Sequence, residues 1–167
     1  MPEVSVLSVL RERAGRTPDD LAFTFTDYDR NWEGITESLT WSQLYRRTLN
    51  VAHEVGRHGS PGDRALIVAP QGLAFVVAFL GAMQAGFIAV PMAVPVPGAH
   101  DERLSEVVTD TSPAVVLTTS DVFDIAVQHV DDGAAVIALV AVDPLDLDAA
   151  PADTEAAQAP DIAYLQY

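Results

Sequence analysis

The chain has 167 residues, a size typical of one domain, and 49% of them are hydrophobic, which is enough for a buried core. It contains neither cysteine nor lysine, so disulfides, thiolate metal sites, lysine Schiff bases and Walker-type phosphate loops are excluded. Its net charge of −15, with fourteen acids and one arginine after residue 100, argues against binding to nucleic acid or to an anionic membrane, since both favour a basic face.

The first part of the chain predicts a short helix followed by a hairpin. Residues 4–14 carry apolar side chains at helical spacing and end among arginines. Phe23 and Phe25 then alternate with threonines, which is typical of a half-buried strand over residues 22–28, and a second strand over residues 37–39 can pair with it. The N-terminus lacks the basic start of a secretory signal, which favours a cytoplasmic location.

Thr40 and Gln43 predict the start of the next helix. The threonine hydroxyl can accept a hydrogen bond from the Gln43 amide while the Gln43 side chain reaches back, which is a capping box. An apolar stripe at helical spacing follows between positions 41 and 55. Gly59 suits the left-handed residue that closes a helix, so we expect this helix to end just before it.

Residues 65–100 are the most informative stretch, because none of these 36 residues is charged. A membrane helix needs about 20 continuous apolar residues, and the longest uninterrupted piece, residues 73–83, is roughly half of that. The stretch instead predicts a strand over residues 65–69, a helix over residues 72–85 and a strand over residues 87–91. A helix that is apolar all round between such strands is typical of a buried β–α–β unit.

The second half of the chain repeats the alternation of helix and strand. Asp101 and Glu102 suit a helix N-terminus, and an apolar stripe follows at Leu104, Val107 and Val108. The remaining predicted segments are a strand over 114–118, a helix over 121–130, a strand over 136–142, a linker over 143–160 and a strand over 162–167. This order predicts an α/β fold: a mostly parallel sheet covered by helices, with a small N-terminal hairpin.

Three segments of the sequence occur in a recognisable order. They read Leu-Thr-Trp-Ser-Gln-Leu at 39–44, Met-Gln-Ala-Gly-Phe-Ile-Ala-Val-Pro-Met at 83–92 and Ala-Tyr-Leu-Gln-Tyr at 163–167. Together they resemble the motifs of the adenylate-forming ligase superfamily. Four finer features are Phe-Thr-Asp-Tyr at 25–28, Trp-Glu-Gly at 32–34, Tyr-Arg-Arg-Thr at 45–48, and Gln166. Within the superfamily, they resemble the fatty acyl-AMP ligases rather than the acyl-CoA synthetases.

The resemblance implies that the full-length protein activates a long-chain fatty acid with ATP and Mg²⁺ and passes the acyl group to an acyl carrier protein, often on a polyketide synthase. In that family, the strand at residues 163–167 leads into a Thr/Ser/Gly-rich phosphate loop, and the groups that hold the nucleotide follow it. No position of this chain matches them, so the sequence assigns no catalytic, cofactor-binding or metal-binding residue.

We therefore expect an N-terminal portion that is inactive on its own and that continues in a longer parent protein. It divides into an α/β subdomain over residues 1–142, an acidic Ala/Pro-rich linker over residues 143–160, and the first strand of the following nucleotide-binding portion over residues 161–167. An unpaired strand at that position exposes an apolar edge, which favours self-association.

Other polar side chains suggest structural roles. His53 and His58 lie five residues apart on one predicted helix, without a third ligand, so we expect solvated positions and no metal site. Asp143, Asp146 and Asp148 resemble part of a calcium loop but lack its glycine and its closing glutamate.

The apolar stretch offers three further interpretations. Phe75, Phe79 and Phe87 are expected to belong to the core rather than to a fatty-acid pocket, and Gly81 to pack closely against a neighbouring element. The prolines of Pro95-Val96-Pro97 predict a stiff extended segment, which is either a wall beside the acyl or pantetheine path or simply a stiff exit from the sheet.

Two alternatives to a ligase portion remain open from the sequence. One is a free-standing α/β interaction or regulatory module without ligase chemistry. The other is a membrane protein that uses residues 65–97 as its membrane segment.

Overall fold

The computed structural model describes residues 5–96, 102–130, 137–151, 157 and 159–167. Within these ranges, the helices are α1 (Val6–Arg16), α2 (Trp41–Val55), α3 (Leu73–Gln84), α4 (Arg103–Thr111) and α5 (Phe123–Val130). The strands are β1 (Leu21–Asp27), β2 (Ile35–Thr40), β3 (Arg64–Val68), β4 (Ile88–Met92), β5 (Val115–Thr118) and β6 (Ala138–Ala141).

A parallel sheet of order β4-β3-β5-β6 lies at the centre of the molecule. Because successive side chains of a strand point to opposite faces, β3 contributes Ala65 and Ile67 to one buried cluster and Leu66 and Val68 to another. Helices α2 and α3 supply the first cluster, and α4 supplies the second. The predicted fold class, a mostly parallel α/β sheet covered by helices, is confirmed.

Strands β1 and β2 form the predicted antiparallel hairpin as a separate sheet. The hydroxyls of Thr24 and Ser38 lie 2.9 Å apart across it, and those of Thr26 and Thr36 lie 3.1 Å apart. These hydroxyl pairs link the two strands through side chains as well as through the backbone. The second strand extends beyond the predicted 37–39 at both ends and leads directly into α2.

The uncharged stretch forms the predicted β–α–β unit of β3, α3 and β4. A Cβ added to Gly81 of α3 would lie 2.4 Å from Cγ1 and 2.6 Å from Cβ of Val51 in α2, so the two helices approach closely there, as expected. Across the ranges described above, no helix is both long enough and apolar enough to cross a bilayer.

Helix α2 ends earlier than predicted, at Val55, and Gly56 caps it in a right-handed conformation. The expectation that Gly59 closes the helix was therefore wrong. A Cβ at Gly59 would lie 3.0 Å from both Phe87 and Ala114, so this glycine is needed for close packing beside the sheet.

The second half follows the predicted order, and α4 buries Leu104, Val107 and Val108. Asp101, Pro97 and residue 136, which belong to predicted elements, lie outside the described residues.

In place of a full strand over 162–167, residues 159–167, called here the terminal segment, make one parallel bridge to Ala89 of β4. The Ala89 amide donates to the Ala163 carbonyl at 3.1 Å, and the Leu165 amide donates to the Ala89 carbonyl at 2.9 Å.

Candidate functional site

An apolar groove opens between α1, β1 and α3, with a cavity volume of about 510 Å³. It is lined by Val6 and Val9 of α1, by Phe23 of β1 and by Phe75 and Phe79 of α3, among others. Its volume falls within the range of about 300–1,000 Å³ that is usual for small-molecule pockets. Among the described lining residues, all but Ser5 are hydrophobic and none is charged, so these residues can bind an apolar group but do not orient it by charge.

The phenylalanines of the uncharged stretch divide between core and groove. Phe87 is fully buried, as expected of a core residue. Phe75 and Phe79 are half-buried and line the groove, with their rings stacked at a centroid distance of 6.3 Å. The expectation that all three belong to the core therefore holds fully for Phe87, while the other two combine core packing with an accessible face.

The terminal segment lies at the outer edge of β4 and carries two tyrosines with defined partners. The Tyr164 ring meets the Phe79 ring edge-on, with centroids 5.9 Å apart. The Tyr167 hydroxyl donates a hydrogen bond to the Asp110 carboxylate near the end of α4, and this bond raises the pKa of Tyr167. The segment is thus held by these two tyrosine contacts and by the two backbone hydrogen bonds to Ala89 that flank Tyr164.

Residues 143–151, called here the strap, lie against α2. Arg47 donates from Nε and from a terminal guanidinium nitrogen to the two carboxylate oxygens of Asp148, at 2.9 and 2.8 Å. Asn50 donates from its amide nitrogen to the carbonyls of Leu147 and Ala149, at 2.8 and 3.1 Å. The hydrogen bond from Arg47 lowers the pKa of Asp148, so this carboxylate is held in its charged form.

Two of the three aspartates that resembled part of a calcium loop make protein contacts through their carboxylates. Asp148 binds Arg47, and the Asp143 carboxylate accepts a hydrogen bond from the Ser120 backbone amide at 2.7 Å. Among the described residues, no group of three His, Cys, Asp or Glu side chains is arranged to hold a metal ion. ATP and Mg²⁺ are what the resemblance implies for the full-length family member, and the whole chain lacks a lysine that could contact the phosphates.

The two histidines differ in their surroundings. His53 is exposed, whereas His58 Nε2 lies 3.1 Å from Oε1 of Glu54. The other carboxylate oxygen of Glu54, Oε2, accepts a hydrogen bond from Arg57 at 2.9 Å. Burial acts to raise the pKa of Glu54, but the hydrogen bonds to His58 and Arg57 outweigh it, and the pKa is lowered. His53 is thus a solvated position as expected, and His58 is a partly exposed polar position with a defined partner, Glu54.

Sequence reasoning missed the residues that join distant parts of the chain. Arg47 and Asp148 are separated by 101 positions, and no local pattern indicates their pairing. It also missed the Thr118 hydroxyl at the carboxyl end of β5, which is fully buried and makes no hydrogen bond within the described part of the protein.

The family model for AMP-binding enzymes matches residues 10–167. Across 170 aligned residues, the chain is 58% identical to fadD21 of Mycobacterium leprae (strain TN), which is named a fatty-acid–CoA ligase; the match takes in 100% of this chain and 29% of that protein. It is 54% identical to the long-chain-fatty-acid–AMP ligase FadD28 of Mycobacterium tuberculosis (strain ATCC 25618 / H37Rv), with 98% of this chain and 29% of that protein covered.

The same likeness holds among solved structures. A fatty acyl-adenylate ligase from L. pneumophila, crystallised with acyl adenylate and pyrophosphate, superposes with a TM-score of 0.79 at 28% identity, covering 98% of this chain and 28% of that one. The chain therefore spans less than a third of the length of these relatives, and the predicted resemblance to fatty acyl-AMP ligases is confirmed.

Proposed function

The chain belongs to the AMP-binding enzyme family, and from this premise we propose that it is the N-terminal portion of a ligase that activates long-chain fatty acids with ATP to give acyl-AMP. Adenylation suits such a substrate, because a carboxylate is a poor electrophile until its oxygen becomes part of a good leaving group. The charge that develops on the phosphate requires fixed donors and a metal ion. We propose that these are supplied by residues outside this chain.

One observation carries this proposal. Nearly the whole chain superposes on a ligase whose structure holds acyl adenylate and pyrophosphate, yet it matches only 28% of that protein. The likeness supports the reaction class, and the small share supports a scaffolding role for the 167 residues. The proposed division into residues 1–142, 143–160 and 161–167 follows the same logic, with the last of these leading into the nucleotide-binding portion.

We propose further that the full-length ligase transfers its acyl group to an acyl carrier protein, in the context of a polyketide synthase. The names of the relatives support activation of long-chain fatty acids, and both CoA and AMP ligases occur among them. The transfer is checked by offering the full-length enzyme free CoA and a holo-carrier protein in parallel. Acylation of CoA alone would contradict this part of the proposal and leave the adenylation step intact.

A fragment-complementation assay tests the proposal as a whole. The 167-residue chain is mixed with a version of the M. leprae relative that lacks its matching 170 residues, and pyrophosphate release is measured with ATP, Mg²⁺ and palmitate. We expect release from the mixture and none from either part. The matched control is the Gly81→Leu chain, which cannot pack α3 on α2 and should fail to restore activity.

Each outcome of this assay is informative. Pyrophosphate release by the 167-residue chain without a partner would overturn its proposed inactivity. If the mixture releases no pyrophosphate, although both parts are folded and the chain melts in a sharp reversible transition, the result would favour a free-standing interaction or regulatory module.

Self-association through the exposed apolar side chains is proposed for the isolated chain, and sedimentation velocity over a range of concentrations measures it.

A further inference from the structure

The outer edge of β4, the one that faces away from β3, meets the terminal segment through every second residue. In a parallel ladder, a residue points its backbone amide and carbonyl to one neighbouring strand, and the next residue points its own to the other side. Ala89 gives both groups to the terminal segment, whereas the Ile88 amide donates to the Asp63 carbonyl, just before β3, at 2.8 Å. The alternation therefore assigns positions 87, 89 and 91 to the outer edge.

Of these three edge residues, only one has an amide hydrogen to offer the terminal segment. The Phe87 amide already donates to the Ala82 carbonyl of α3 at 3.0 Å. Pro91 has no amide hydrogen, because its nitrogen is part of the ring. Ala89 is the remaining donor, and it is the residue that makes the bridge.

The next rung of this ladder would require a donor at position 91. A continued ladder would place that donor opposite the Leu165 carbonyl and would place the Tyr167 amide opposite the carbonyl of residue 91. Tyr167 does lie beside Pro91, since both line a cavity of about 190 Å³ at the end of β4. Among the residues that the structure describes, however, no backbone hydrogen bond joins the two. The missing donor, rather than distance, therefore accounts for the end of the pairing.

Side chains hold the terminal segment where its backbone pairing stops. The Tyr164 ring packs on Phe79, on one side of the sheet, and Leu165 packs against the buried cluster on the α4 side. The Tyr167 hydroxyl bonds to Asp110. The segment thus stays beside β4 without continuing as a strand.

We propose that Pro91 is a stop for strand pairing at the outer edge of β4, which limits a segment lying there to the single bridge at Ala89. A proline in an edge strand removes a ladder donor and protects the edge against the addition of further strands. The backbone of residues 166 and 167 is thereby left out of the sheet, and the Tyr167 side chain positions it instead. This role does not depend on the proposed ligase activity.

Hydrogen exchange of the 167-residue chain, measured amide by amide, tests this role. In the unaltered protein, we expect the amides of Ala89 and Leu165 to be protected and the Tyr167 amide to exchange freely. Pro91→Ala supplies the missing donor, so the amides of residues 91 and 167 should become protected. Exchange at Leu165 should slow by about five-fold for each hydrogen bond added.

Two further variants serve as controls. Pro61→Ala replaces an exposed proline in the turn before β3 and should leave the amides of Leu165 and Tyr167 unchanged. It accounts for the effect that losing a proline has on the unfolded chain. If the Pro91→Ala protein loses protection in the β3–β4 ladder, Pro91→Val, which restores a larger side chain that favours a strand, is measured in its place.

Two results would overturn the proposal. In the first, the unaltered protein protects the Tyr167 amide as strongly as the Leu165 amide, so that pairing already continues past Pro91. In the second, the amides of residues 91 and 167 stay unprotected in a variant whose β3–β4 ladder is intact, so that the absent donor is not what limits the pairing.

Discussion

Gly81 marks the point where α2 and α3 lie too close together for a side chain. Because Val51 is fully buried, it has no solvent-exposed space into which to move, and Gly81→Ala forces the helices apart. Overpacking of this kind costs about 1–3 kcal/mol, and it should exceed the gain of about 1 kcal/mol from the better helix propensity of alanine. We expect a lower free energy of unfolding in urea.

The chain offers a matched control for this substitution. Gly15 is also helical, but nothing lies within 4 Å of the Cβ that alanine would add there. Gly15→Ala should therefore stabilise the protein, by about 0.5 kcal/mol. Equal effects of the two changes would contradict the assignment of Gly81 to the helix contact.

The ion pair between Arg47 and Asp148 should make a pH-dependent contribution to stability. Because the folded state lowers the pKa of Asp148, the contribution is fully present above the ordinary value of 3.8 and is lost as the pH falls through the lower folded value. Asp148 is more than half exposed, so a double-mutant cycle with Arg47→Ala and Asp148→Ala should give about 0.5 kcal/mol at pH 7. A coupling energy that does not decrease as the pH is lowered below 3.8 would contradict this.

At the scale of elements, the start of α2 depends on one hydroxyl. The Gln43 amide donates to Thr40 Oγ1 at 3.3 Å, and the Thr40 amide donates to Gln43 Oε1 at 2.9 Å. Thr40→Ala leaves the first-turn amides of α2 without this acceptor and should lower the free energy of unfolding by about 1 kcal/mol. Thr40→Ser keeps the acceptor and should restore most of the loss, as measured by urea denaturation; equal losses would contradict the capping role.

The capping box could be predicted because all its parts lie within four residues of sequence. The β–α–β unit could be predicted for a related reason, since an uncharged helix between uncharged strands has few other stable environments. The end of α2 could not. Glycine is common just after a helix, which made Gly59 look like the helix terminus. Position 59 requires a glycine because Phe87 and Ala114, which are far away in sequence, pack against it.

The candidate site was less accessible to sequence reasoning than the fold. The motif at residues 163–167 correctly indicated a segment beside the sheet, but its pairing is limited to one bridge. Phe75 and Phe79 lie on a helix that is apolar on all sides, so periodicity does not distinguish the residues that face the groove. The contacts of Arg47 and Asn50 depend on the route of the strap, which no local pattern encodes.

At the scale of the whole molecule, the net charge of −15 opposes the compact state through self-repulsion. Raising sodium chloride from about 20 mM to about 300 mM shortens the screening length severalfold, so the melting temperature should rise by a few degrees. Circular dichroism at the two concentrations measures this. A falling melting temperature would mean that attractive pairs such as Arg47–Asp148 outweigh the repulsion.

The two faces of the central sheet are covered unequally. The described buried side chains on the α2 and α3 face outnumber those on the α4 face, and the latter cluster is built mainly of valines and leucines. Regions with less buried apolar surface open at lower free energy than the rest of a domain. Local unfolding of the native state should therefore begin at α4. A protease added under native conditions should make its first internal cut on that side, before it cuts α2 or α3 on the opposite face.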